Sequence, residues 1–551
     1  MALWSSTETE HAIKAWSSTP ITWRARLGSR FSLSCTVHPM IDQRANQRSG
    51  TSLGWQLPLV LILVLAAGLR SCNLGQLSFW YDEVVTMRLA EAPTPAALVH
   101  RLLEIDATRA PLHPLLLQAW VRVFGSSEAA ARSFSVLCGV ATVGLVCWLG
   151  RLLFDERTGL WAAYLTALSP PLVYYSREAR MYAWLVMTTC VCWGLLFSQS
   201  RIRNGEFGIR NSERRMRKGE GSRSRLCLIG YSLALTGLLY SHPLGLLMAG
   251  TLALGSLCFA RQFFGGWARW LAAHLTPLIL AAPWLGHYFD HAPEFLTGRL
   301  PLSFLIGTPI GFIGGNFLVL LGVVVLAGFG LIRRRADLDS TSRCGAVCLV
   351  LWLIVPPSLL YAYSWIGNPV FGPARYTLFV APAFLILTAR GLAILPRLPR
   401  LALGFALSLL AAASLGPSVY APGLKADWRA LAQEIRDEIR SDRDAKIRVV
   451  VKSTDPTKNV EVETARYYLP RECLVFAWEE FMQRGQPEPL DGKTYLAIGV
   501  KAGVAEPPAD DRSWVQAGRY PGLVVYRVGQ PAPAAQPAGP APARPGGSGR
   551  G

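Results

Sequence analysis

Two adjacent carboxylates follow a run of aromatic residues in the polar segment after the first hydrophobic stretch. The run is Phe79-Trp80-Tyr81, and Asp82 and Glu83 come directly after it. Aromatic rings favour the headgroup level of a bilayer, where a carboxylate is partly desolvated and its pKa rises toward that of a useful general base. The same pattern also fits a solvated acid pair beside an aromatic belt, so the residues alone leave both interpretations open.

A second cluster combines two arginines with a glutamate and several tyrosines. It reads Tyr174-Tyr175-Ser176-Arg177-Glu178-Ala179-Arg180-Met181-Tyr182. The planar fork of arginine suits phosphate, so Arg177 and Arg180 are candidate phosphate ligands, with Glu178 and Tyr182 as candidate substrate contacts. The alternative is a pair of interfacial arginines held by a local ion pair with Glu178.

Other polar residues border hydrophobic runs in the same way. Arg375, followed by Tyr376, is a third candidate phosphate ligand, although a lone arginine at this place is more often an anchor. Arg109 and His113 lie in Arg109-Ala110-Pro111-Leu112-His113-Pro114 and are candidate substrate contacts, as is Tyr81. A lone histidine is weak evidence for a metal, so the sequence predicts no metal site.

The composition is that of a membrane protein. Of the 551 residues, 51% are hydrophobic and 17% are charged, whereas soluble domains carry about a quarter charged residues. A bilayer span needs about 20 apolar residues. Eleven runs approach this length: 53–71, 133–153, 158–175, 181–199, 226–241, 243–260, 270–288, 303–332, 344–364, 376–395 and 401–418. The sequence therefore predicts an α-helical polytopic membrane protein with about eleven transmembrane helices.

Basic residues predict how the chain is oriented. They cluster in loops 200–225 and 333–343 and in the pairs Arg151 with Arg157, Arg261 with Arg269 and Arg397 with Arg400. Counting spans places all five clusters on the side of the N-terminus, which is therefore predicted to be cytoplasmic. An odd number of spans puts the C-terminus outside. The net charge of +19 thus reflects topology, and without an aromatic-basic motif nucleic acid is not an expected partner.

Four segments follow from this topology. Residues 1–52 are a predicted disordered cytoplasmic tail, residues 53–420 the membrane domain, residues 421–528 a small extracytoplasmic α/β domain and residues 529–551 a disordered Pro/Ala/Gly tail. The first external loop, 72–132, is large, and Pro93–Glu104 and Pro111–Phe124 in it are predicted interfacial helices. In the α/β domain, helices are predicted at Trp428–Arg440 and Val462–Tyr468, and strands at Ile447–Lys452, Thr494–Val500 and Gly522–Val528.

The order of these features resembles the GT-C membrane glycosyltransferases, in particular glycosyltransferase family 39. The resemblance covers about Leu53 to Trp428. It depends on Phe79-Trp80-Tyr81-Asp82-Glu83, Ala110-Pro111-Leu112-His113-Pro114, Ala131-Arg132-Ser133, Gly150-Arg151 with Gly159, Leu168-Ser169-Pro170, the arginine–tyrosine cluster, Arg375-Tyr376 and Asp427-Trp428-Arg429. Many relatives have a His-Pro-Pro-like start where this chain has Ala110-Pro111-Leu112, so the resemblance assigns no role to His113.

The resemblance implies an inverting transfer of a sugar from a polyprenyl-phosphate donor at the external face of a bacterial inner membrane. Asp82 would be the general base, and Glu83 would share that role or position the acceptor. Arg177, Arg180 and Arg375 would bind the donor phosphate. The acceptor would be a lipid, a glycan or a protein, and no cofactor is implied, although a divalent metal is an open alternative.

A transporter or flippase of lipid-linked sugars is the alternative from another class. Transporters place ionisable residues near the middle of the bilayer and often show repeated halves. Here the charged candidates lie at the predicted external rim, and no internal repeat is visible. A purely structural or sensor protein would leave the loop pattern unexplained. The sequence therefore favours the enzyme.

Overall fold

The computed structural model describes two compact units, Met1–Pro58 and Leu59–Gly551. The described residues are 21–26, 32–37 and 54–528, except 107–109, 204–212, 291–311, 313–324, 326–327, 329–339, 367–373, 422–424, 443–445, 453–459, 484–492, 500–513 and 522. In the first unit, β1 (Ile21–Arg26) and β2 (Ser32–Val37) form an antiparallel pair. The sequence predicts a disordered tail there, but β-branched residues in both segments favour strands.

Helices form most of the second unit. In chain order they are α1 (Gln56–Ser71), α2 (Tyr81–Ala90), α3 (Pro95–Asp106), α4 (Leu112–Phe124), α5 (Glu128–Leu153), α6 (Glu156–Leu168), α7 (Pro170–Ser176), α8 (Tyr182–Arg203), α9 (Glu213–Leu239), α10 (Leu244–Leu257), α11 (Ala260–Phe264), α12 (Trp267–Leu285), α13 (His287–Asp290), α14 (Ser340–Ile366), α15 (Ala381–Ile394) and α16 (Arg397–Leu415). Short 3₁₀ turns, Ala374–Tyr376 and Leu378–Val380, precede α15, and a π-helical turn, Gly416–Tyr420, follows α16.

Ten of the eleven hydrophobic runs coincide with helices, and the run 303–332 lies almost entirely outside the described residues. Within the described part, four helices are long and apolar enough to cross a membrane: Glu128–Leu153, Tyr182–Arg203, Ser342–Trp365 and Arg397–Tyr420. Gln56–Ser71, Leu244–Leu257 and Leu378–Ile394 are shorter apolar helices. The apolar helices are those of a membrane protein, while the number of eleven spans stays a prediction.

The run 158–175 is not one continuous helix. It divides into α6 and α7 at Ser169, whose φ and ψ are −59° and 114°. Pro170 has no backbone N–H to donate, and its ring disfavours a helical conformation for the residue before it. The proline therefore ends α6 and begins a short new helix, which carries the chain to the arginine–tyrosine cluster.

Three helices lie in the first predicted external loop, where the sequence predicts two. α3 and α4 correspond to the predicted helices Pro93–Glu104 and Pro111–Phe124. α2 was not predicted, because the aromatic run before it lacks the Ser, Thr, Asp or Asn that usually begins a helix. Acidic residues in its first turn, Asp82 and Glu83, favour the helix N-terminus electrostatically.

Close packing of α5 against α6 depends on glycine. A Cβ atom on Gly150 would lie 2.8 Å from the Cα and 3.1 Å from the nitrogen of Gly159. These are backbone atoms, which cannot rotate out of the way. The two glycines therefore allow the backbones of α5 and α6 to approach each other closely.

Residues 425–528 contain a five-stranded sheet with helices on both faces. Its strands are β3 (Ile447–Lys452), β4 (Leu474–Ala477), β5 (Lys493–Gly499), β6 (Trp514–Tyr520) and β7 (Leu523–Val528), and its helices are α17 (Trp428–Ser441), α18 (Val460–Tyr468) and α19 (Trp478–Gln483). The order is β4-β3-β5-β7-β6, parallel from β4 to β5 and antiparallel from β5 to β6. Strands β4 and β6 and helix α19 were not predicted, since they are short or polar.

The amphipathic helix α17 covers one face of this sheet. Trp428, Leu431, Ala432 and Ile435 are buried, and they occupy one helical face by their spacing. They pack against residues of β3 and β5, including Val449. The helix begins at Asp427, whose Oδ1 accepts a hydrogen bond from the Ala430 nitrogen at 3.2 Å.

We predict that Gly150→Ala destabilises the protein, because the added methyl group must push α5 away from α6. Overpacking of this kind typically costs about 1–3 kcal/mol. The matched control is Gly144→Ala in the same helix, where a Cβ would meet only Leu63 Cδ2 at 4.0 Å. Thermal denaturation of the purified proteins in detergent measures both changes. Equal melting temperatures for the two variants would contradict the prediction.

Candidate functional site

The first turn of α2 presents its two carboxylates to different surroundings. The side chain of Asp82 is 17% exposed, whereas that of Glu83 is completely buried. Adjacent helical residues point about 100° apart, so the two groups cannot share one environment. Asp82 is therefore the carboxylate that a substrate can reach, and Glu83 belongs to the interior.

Asp82 is paired with two of the predicted arginines. Its Oδ2 lies 3.2 Å from Arg375 Nη1 and 3.7 Å from Arg180 Nη2. Arg375 donates from its other terminal nitrogen to the Tyr376 hydroxyl at 3.3 Å, and the Arg180 guanidinium lies 5.9 Å from the ring centre of Tyr182. Asp82, Arg180, Arg375, Tyr182 and Tyr376 thus form one cluster, which we call the Asp82 group.

Arg180 is held in place by α2 as well. Its Nη1 donates to the Asp82 carbonyl oxygen at 3.1 Å and to Thr86 Oγ1 at 2.7 Å. Both acceptors belong to the helix that carries Asp82. The guanidinium is therefore positioned by its own hydrogen bonds and does not depend on the Asp82 carboxylate alone.

Glu83 is the centre of a buried ionic network. Its carboxylate accepts hydrogen bonds from Arg132 Nε and Nη2, each at 2.8 Å, from Lys425 Nζ at 2.9 Å and from the Ala179 nitrogen at 2.9 Å. Burial acts to raise the pKa of Glu83, but the charges and hydrogen bonds of Arg132 and Lys425 outweigh it and hold that pKa well below its usual range. A fully paired, buried carboxylate of this kind is a poor base.

The geometry around Glu83 bears on its predicted role, which was to share the work of the base or to position the acceptor. Its oxygens are occupied by cations and backbone, and no exposed surface connects them to an acceptor. What the carboxylate does reach is the Ala179 nitrogen, next to Arg180, and its own helix at the Trp80 nitrogen, 3.3 Å away. These contacts favour a positioning role, which fixes α2 relative to Arg180.

Lys425 joins a third carboxylate to this network. Its Nζ lies 3.3 Å from Glu178 Oε1, and the Glu178 side chain is 2% exposed. Burial, assisted by the nearby charge of Glu83, raises the pKa of Glu178 above its usual range despite Lys425. Glu178 is therefore part of the buried network, and its carbonyl oxygen accepts a hydrogen bond from the Arg180 nitrogen at 2.7 Å, which links the network to the Asp82 group.

Arg177 lies apart from the other predicted phosphate ligands. Its Nη1 donates to the carbonyl oxygens of Arg70 at 3.0 Å and Cys72 at 2.5 Å, and its guanidinium stacks 4.8 Å from the ring centre of Tyr420. It thus ties the end of α1 to the end of the last apolar helix. The prediction that Arg177 binds donor phosphate finds no support in this geometry, because residues 177 and 180 face different neighbours.

The remaining predicted contacts have varied placements. Tyr81 is the first residue of α2 and is partly buried. His113 is 1% exposed and packs beside Phe134, and burial together with the charge of Arg180 lowers its pKa to about 3. It is neutral at physiological pH. Arg109 lies outside the described residues. Among the residues that the structure describes, no three His, Cys, Asp or Glu side chains are grouped to hold a metal.

Arg132 and Lys425 were not singled out from the sequence as site residues. Arg132 lies in the Ala131-Arg132-Ser133 element of the resemblance, at the start of an apolar helix where an arginine is costly unless paired. Lys425 precedes α17 by three residues and offered no such signal. Its partner Glu83 is 342 residues away in the chain, a separation that no local pattern reveals.

The α/β segment docks on the first predicted external loop close to this network. Asp427 Oδ1 accepts from Ser78 Oγ at 3.0 Å, and Arg429 donates to the Gly75 carbonyl oxygen at 2.9 Å. The hydroxyl of Tyr468 accepts from the Phe79 nitrogen at 2.6 Å and donates to Glu128 at 2.9 Å. The segment before α2 is therefore held in place by residues that follow the last apolar helix.

We predict that Glu83→Gln strongly destabilises the protein, because it leaves Arg132 and Lys425 buried with too little negative charge. Removing one partner of a buried ion pair costs about 3–5 kcal/mol. Glu104→Gln, a change at a 61% exposed side chain, is the matched control and should stay within about 0.5 kcal/mol. Thermal melting in detergent compares the two. A melting temperature for Glu83→Gln equal to that of the control would show that the network contributes little.

Known proteins share parts of this sequence and this fold. Residues 108–206 match the family model of dolichyl-phosphate-mannose-protein mannosyltransferases. No curated protein sequence shows a significant match to the chain.

Among solved structures, ArnT from Cupriavidus metallidurans bound to undecaprenyl phosphate is similar over 87% of this chain and 98% of ArnT, with 13% identity and a TM-score of 0.54. Its apo form gives the same coverage and TM-score at 12% identity. The Archaeoglobus fulgidus oligosaccharyltransferase in its apo form is 14% identical over 82% of this chain and 70% of its own, with a TM-score of 0.44.

The similarity extends over nearly the whole length of ArnT, so this chain and ArnT share a fold. The resemblance to the GT-C membrane glycosyltransferases, expected from the order of motifs in the sequence, is therefore confirmed.

Proposed function

We propose that this protein is an inverting glycosyltransferase that moves a sugar from a polyprenyl-phosphate donor to an acceptor at the extracytoplasmic face of the membrane. The observation that carries the proposal is the Asp82 group, a partly exposed carboxylate with Arg375 at 3.2 Å and Arg180 at 3.7 Å. A base and two phosphate-binding cations are the groups that this reaction needs. The ArnT structure with undecaprenyl phosphate supports a polyprenyl-phosphate ligand for the shared fold.

The reaction is a single displacement at the anomeric carbon. An acceptor hydroxyl oxygen forms a bond to that carbon while the bond from the carbon to the phosphate oxygen breaks. The hydroxyl proton passes to Asp82, and the lipid leaves as a phosphate monoester. General-base assistance of this kind typically contributes about 10²–10⁴-fold.

The arginines act on the leaving group. A phosphodiester that becomes a monoester gains negative charge, so Arg180 and Arg375 stabilise the transition state more than the bound donor. Arg180 keeps its bonds to Thr86 and to the Asp82 carbonyl oxygen while it does so. When the donor phosphate enters, it competes with the Asp82 carboxylate for both guanidinium groups. Once the arginines bind the donor phosphate, the Asp82 carboxylate is free to accept the proton of the acceptor hydroxyl. The base therefore becomes available only when a donor is bound.

The predicted topology is consistent with the packing of the site. Asp82, Arg180 and Arg375 come from three predicted external segments, 72–132, 176–180 and 365–375, and Lys425 follows the last predicted span. All four meet in one place. Had the segments been assigned to opposite faces of a bilayer, the loops could not come together. This convergence supports the placement of these segments on one face of the membrane. The proposal that this face is extracytoplasmic, in a bacterial inner membrane, depends on the basic loops and on the family resemblance.

We predict that Asp82→Asn lowers turnover by about 10²–10⁴-fold, because the amide cannot accept the hydroxyl proton. The assay reconstitutes the purified chain in nanodiscs with a panel of undecaprenyl-phosphate sugars, uses an envelope extract as the source of lipid, glycan and protein acceptors, and measures released undecaprenyl phosphate. Asp437→Asn, on the exposed side of α17, is the control and should retain full turnover. Wild-type turnover by Asp82→Asn would reject the assignment of the base.

We predict that Arg375→Gln lowers kcat by about 10²–10³-fold, the usual effect of removing one group that stabilises developing negative charge. Arg177→Gln is the matched comparison, since it removes an arginine that binds carbonyl oxygens and Tyr420. It should lower the melting temperature and leave kcat per folded molecule close to wild type. If Arg177→Gln lowers kcat as much as Arg375→Gln does, the division of roles between the arginines is wrong.

A further inference from the structure

A groove of about 530 Å³ lies between α1, α6 and α16, away from the Asp82 group. Its volume falls within the range of about 300–1,000 Å³ that is typical of ligand pockets. Its lining includes Arg157, Trp161 and Tyr164 of α6, and Arg400, Phe405 and Ser408 of α16. The lining combines two arginines with aromatic and apolar side chains, and this combination indicates the kind of ligand.

Each helix contributes one face to the groove. Arg157, Trp161 and Tyr164 recur at intervals of four and three residues, and Arg400 and Ser408 are eight residues apart, so each set lies along one side of its helix. The Tyr164 hydroxyl and Ser408 Oγ are hydrogen-bonded at 2.8 Å. This bond lies seven residues beyond Arg157, or about 10 Å along the helix. The Tyr164–Ser408 hydrogen bond therefore joins α6 to α16 at a point farther along both helices than the two arginines.

A glycine makes room for the aromatic wall. A Cβ on Gly404 would lie 2.3 Å from Cη2 and 2.6 Å from Cζ3 of the Trp161 indole. Any larger residue at position 404 would displace the ring from its place between the helices. With Phe405 and Ile62, the indole gives the groove an apolar surface next to its two cations.

Arg157 and Arg400 lie at one end of the groove, which we call its mouth, and both are available to a ligand. Neither Arg157 nor Arg400 forms an ion pair with a carboxylate of the described part of the chain. Arg157 is exposed. Arg400 uses Nη1 for the carbonyl oxygens of Ala393 at 3.3 Å and Leu395 at 3.4 Å, and no carboxylate among the described residues pairs with it. Two guanidinium groups without a carboxylate partner in that part of the chain, next to an apolar surface, match an anionic head with attached acyl chains.

The mouth of the groove lies at one end of α6 and α16, and the Asp82 group lies toward the other end of these helices. Arg157 and Arg400 are in the first turns of α6 and α16. At the other end, Arg70 donates to the Thr166 and Ala167 carbonyl oxygens near the end of α6, and Tyr420, just beyond α16, stacks on Arg177. A lipid whose head binds the groove therefore belongs to the leaflet opposite to the Asp82 group, and its phosphate cannot reach Asp82.

We propose that this groove binds an anionic glycerophospholipid of that leaflet, with the phosphate between Arg157 and Arg400 and an acyl chain against Trp161 and Phe405. Basic pockets between membrane helices are known to bind such headgroups. The aromatic and apolar wall explains why a lipid fits better than a soluble phosphate. The proposal does not depend on the reaction that the protein performs.

The test measures lipid binding to the full-length chain in detergent by native mass spectrometry, with dioleoyl phosphatidylglycerol and, as the zwitterionic comparison, dioleoyl phosphatidylcholine. The double variant Arg157→Gln/Arg400→Gln should bind phosphatidylglycerol about 25-fold more weakly, or about fivefold for each arginine near a membrane surface. Melting temperatures verify that the variant is folded. The matched control is Arg397→Gln/Arg261→Gln, which removes two arginines outside the groove and should change binding by less than about threefold.

Two results would overturn the proposal. An equal loss of binding in the control would mean that total positive charge, and not this groove, attracts the lipid. Equal affinity of the wild type for phosphatidylcholine and phosphatidylglycerol would mean that the arginines do not recognise an anionic head. A selective loss in the double variant, seen only with phosphatidylglycerol, supports the site.

Discussion

The arrangement of this protein depends on the compensation of one buried negative charge. Glu83 is completely enclosed, and an isolated carboxylate in such a place would cost several kcal/mol. Arg132 and Lys425 must therefore reach it, and each brings its own segment: Arg132 the beginning of α5, and Lys425 the start of the α/β segment. The ionic network thus joins parts of the chain that also meet in an apolar cluster, with Val84 from α2, Ala131 from α5 and Tyr468 from the α/β segment.

Because of this network, two neighbouring residues have different roles: Glu83 positions α2, and Asp82 is the proposed base. Because Glu83 is anchored by cations and by the Ala179 nitrogen, the orientation of α2 is fixed. Asp82, on the adjacent side of the helix, needs no further anchor and keeps its partly exposed place beside Arg180 and Arg375. A proposed base on a rigid helix retains its geometry when its arginine partners turn to a phosphate, which is an advantage for preorganised catalysis.

Sequence patterns predict the features that local physics determines. Long apolar runs indicated the helices, and the basic loops assigned Asp82, Arg180 and Arg375 to the same predicted face, where the structure brings them together. Helix α2 was missed because its start has no usual N-cap residue. Lys425 and the separate environment of Arg177 could not be predicted, since they depend on contacts between segments more than 100 residues apart. Such contacts are decided by tertiary packing and leave no periodic signal.

The segment 177–180 shows how one short turn gives its two arginines different neighbours. α7 ends at Ser176, so the next four residues are not constrained to helical directions. Arg177 turns to the end of α1, Glu178 to Lys425, the Ala179 nitrogen to Glu83, and Arg180 to Asp82. In a continuous helix, residues 177 and 180 would lie on one face, three positions apart. The break that Pro170 introduces and the early end of α7 therefore allow four consecutive residues to join the first helix, the α/β segment, α2 and the proposed active site at one point.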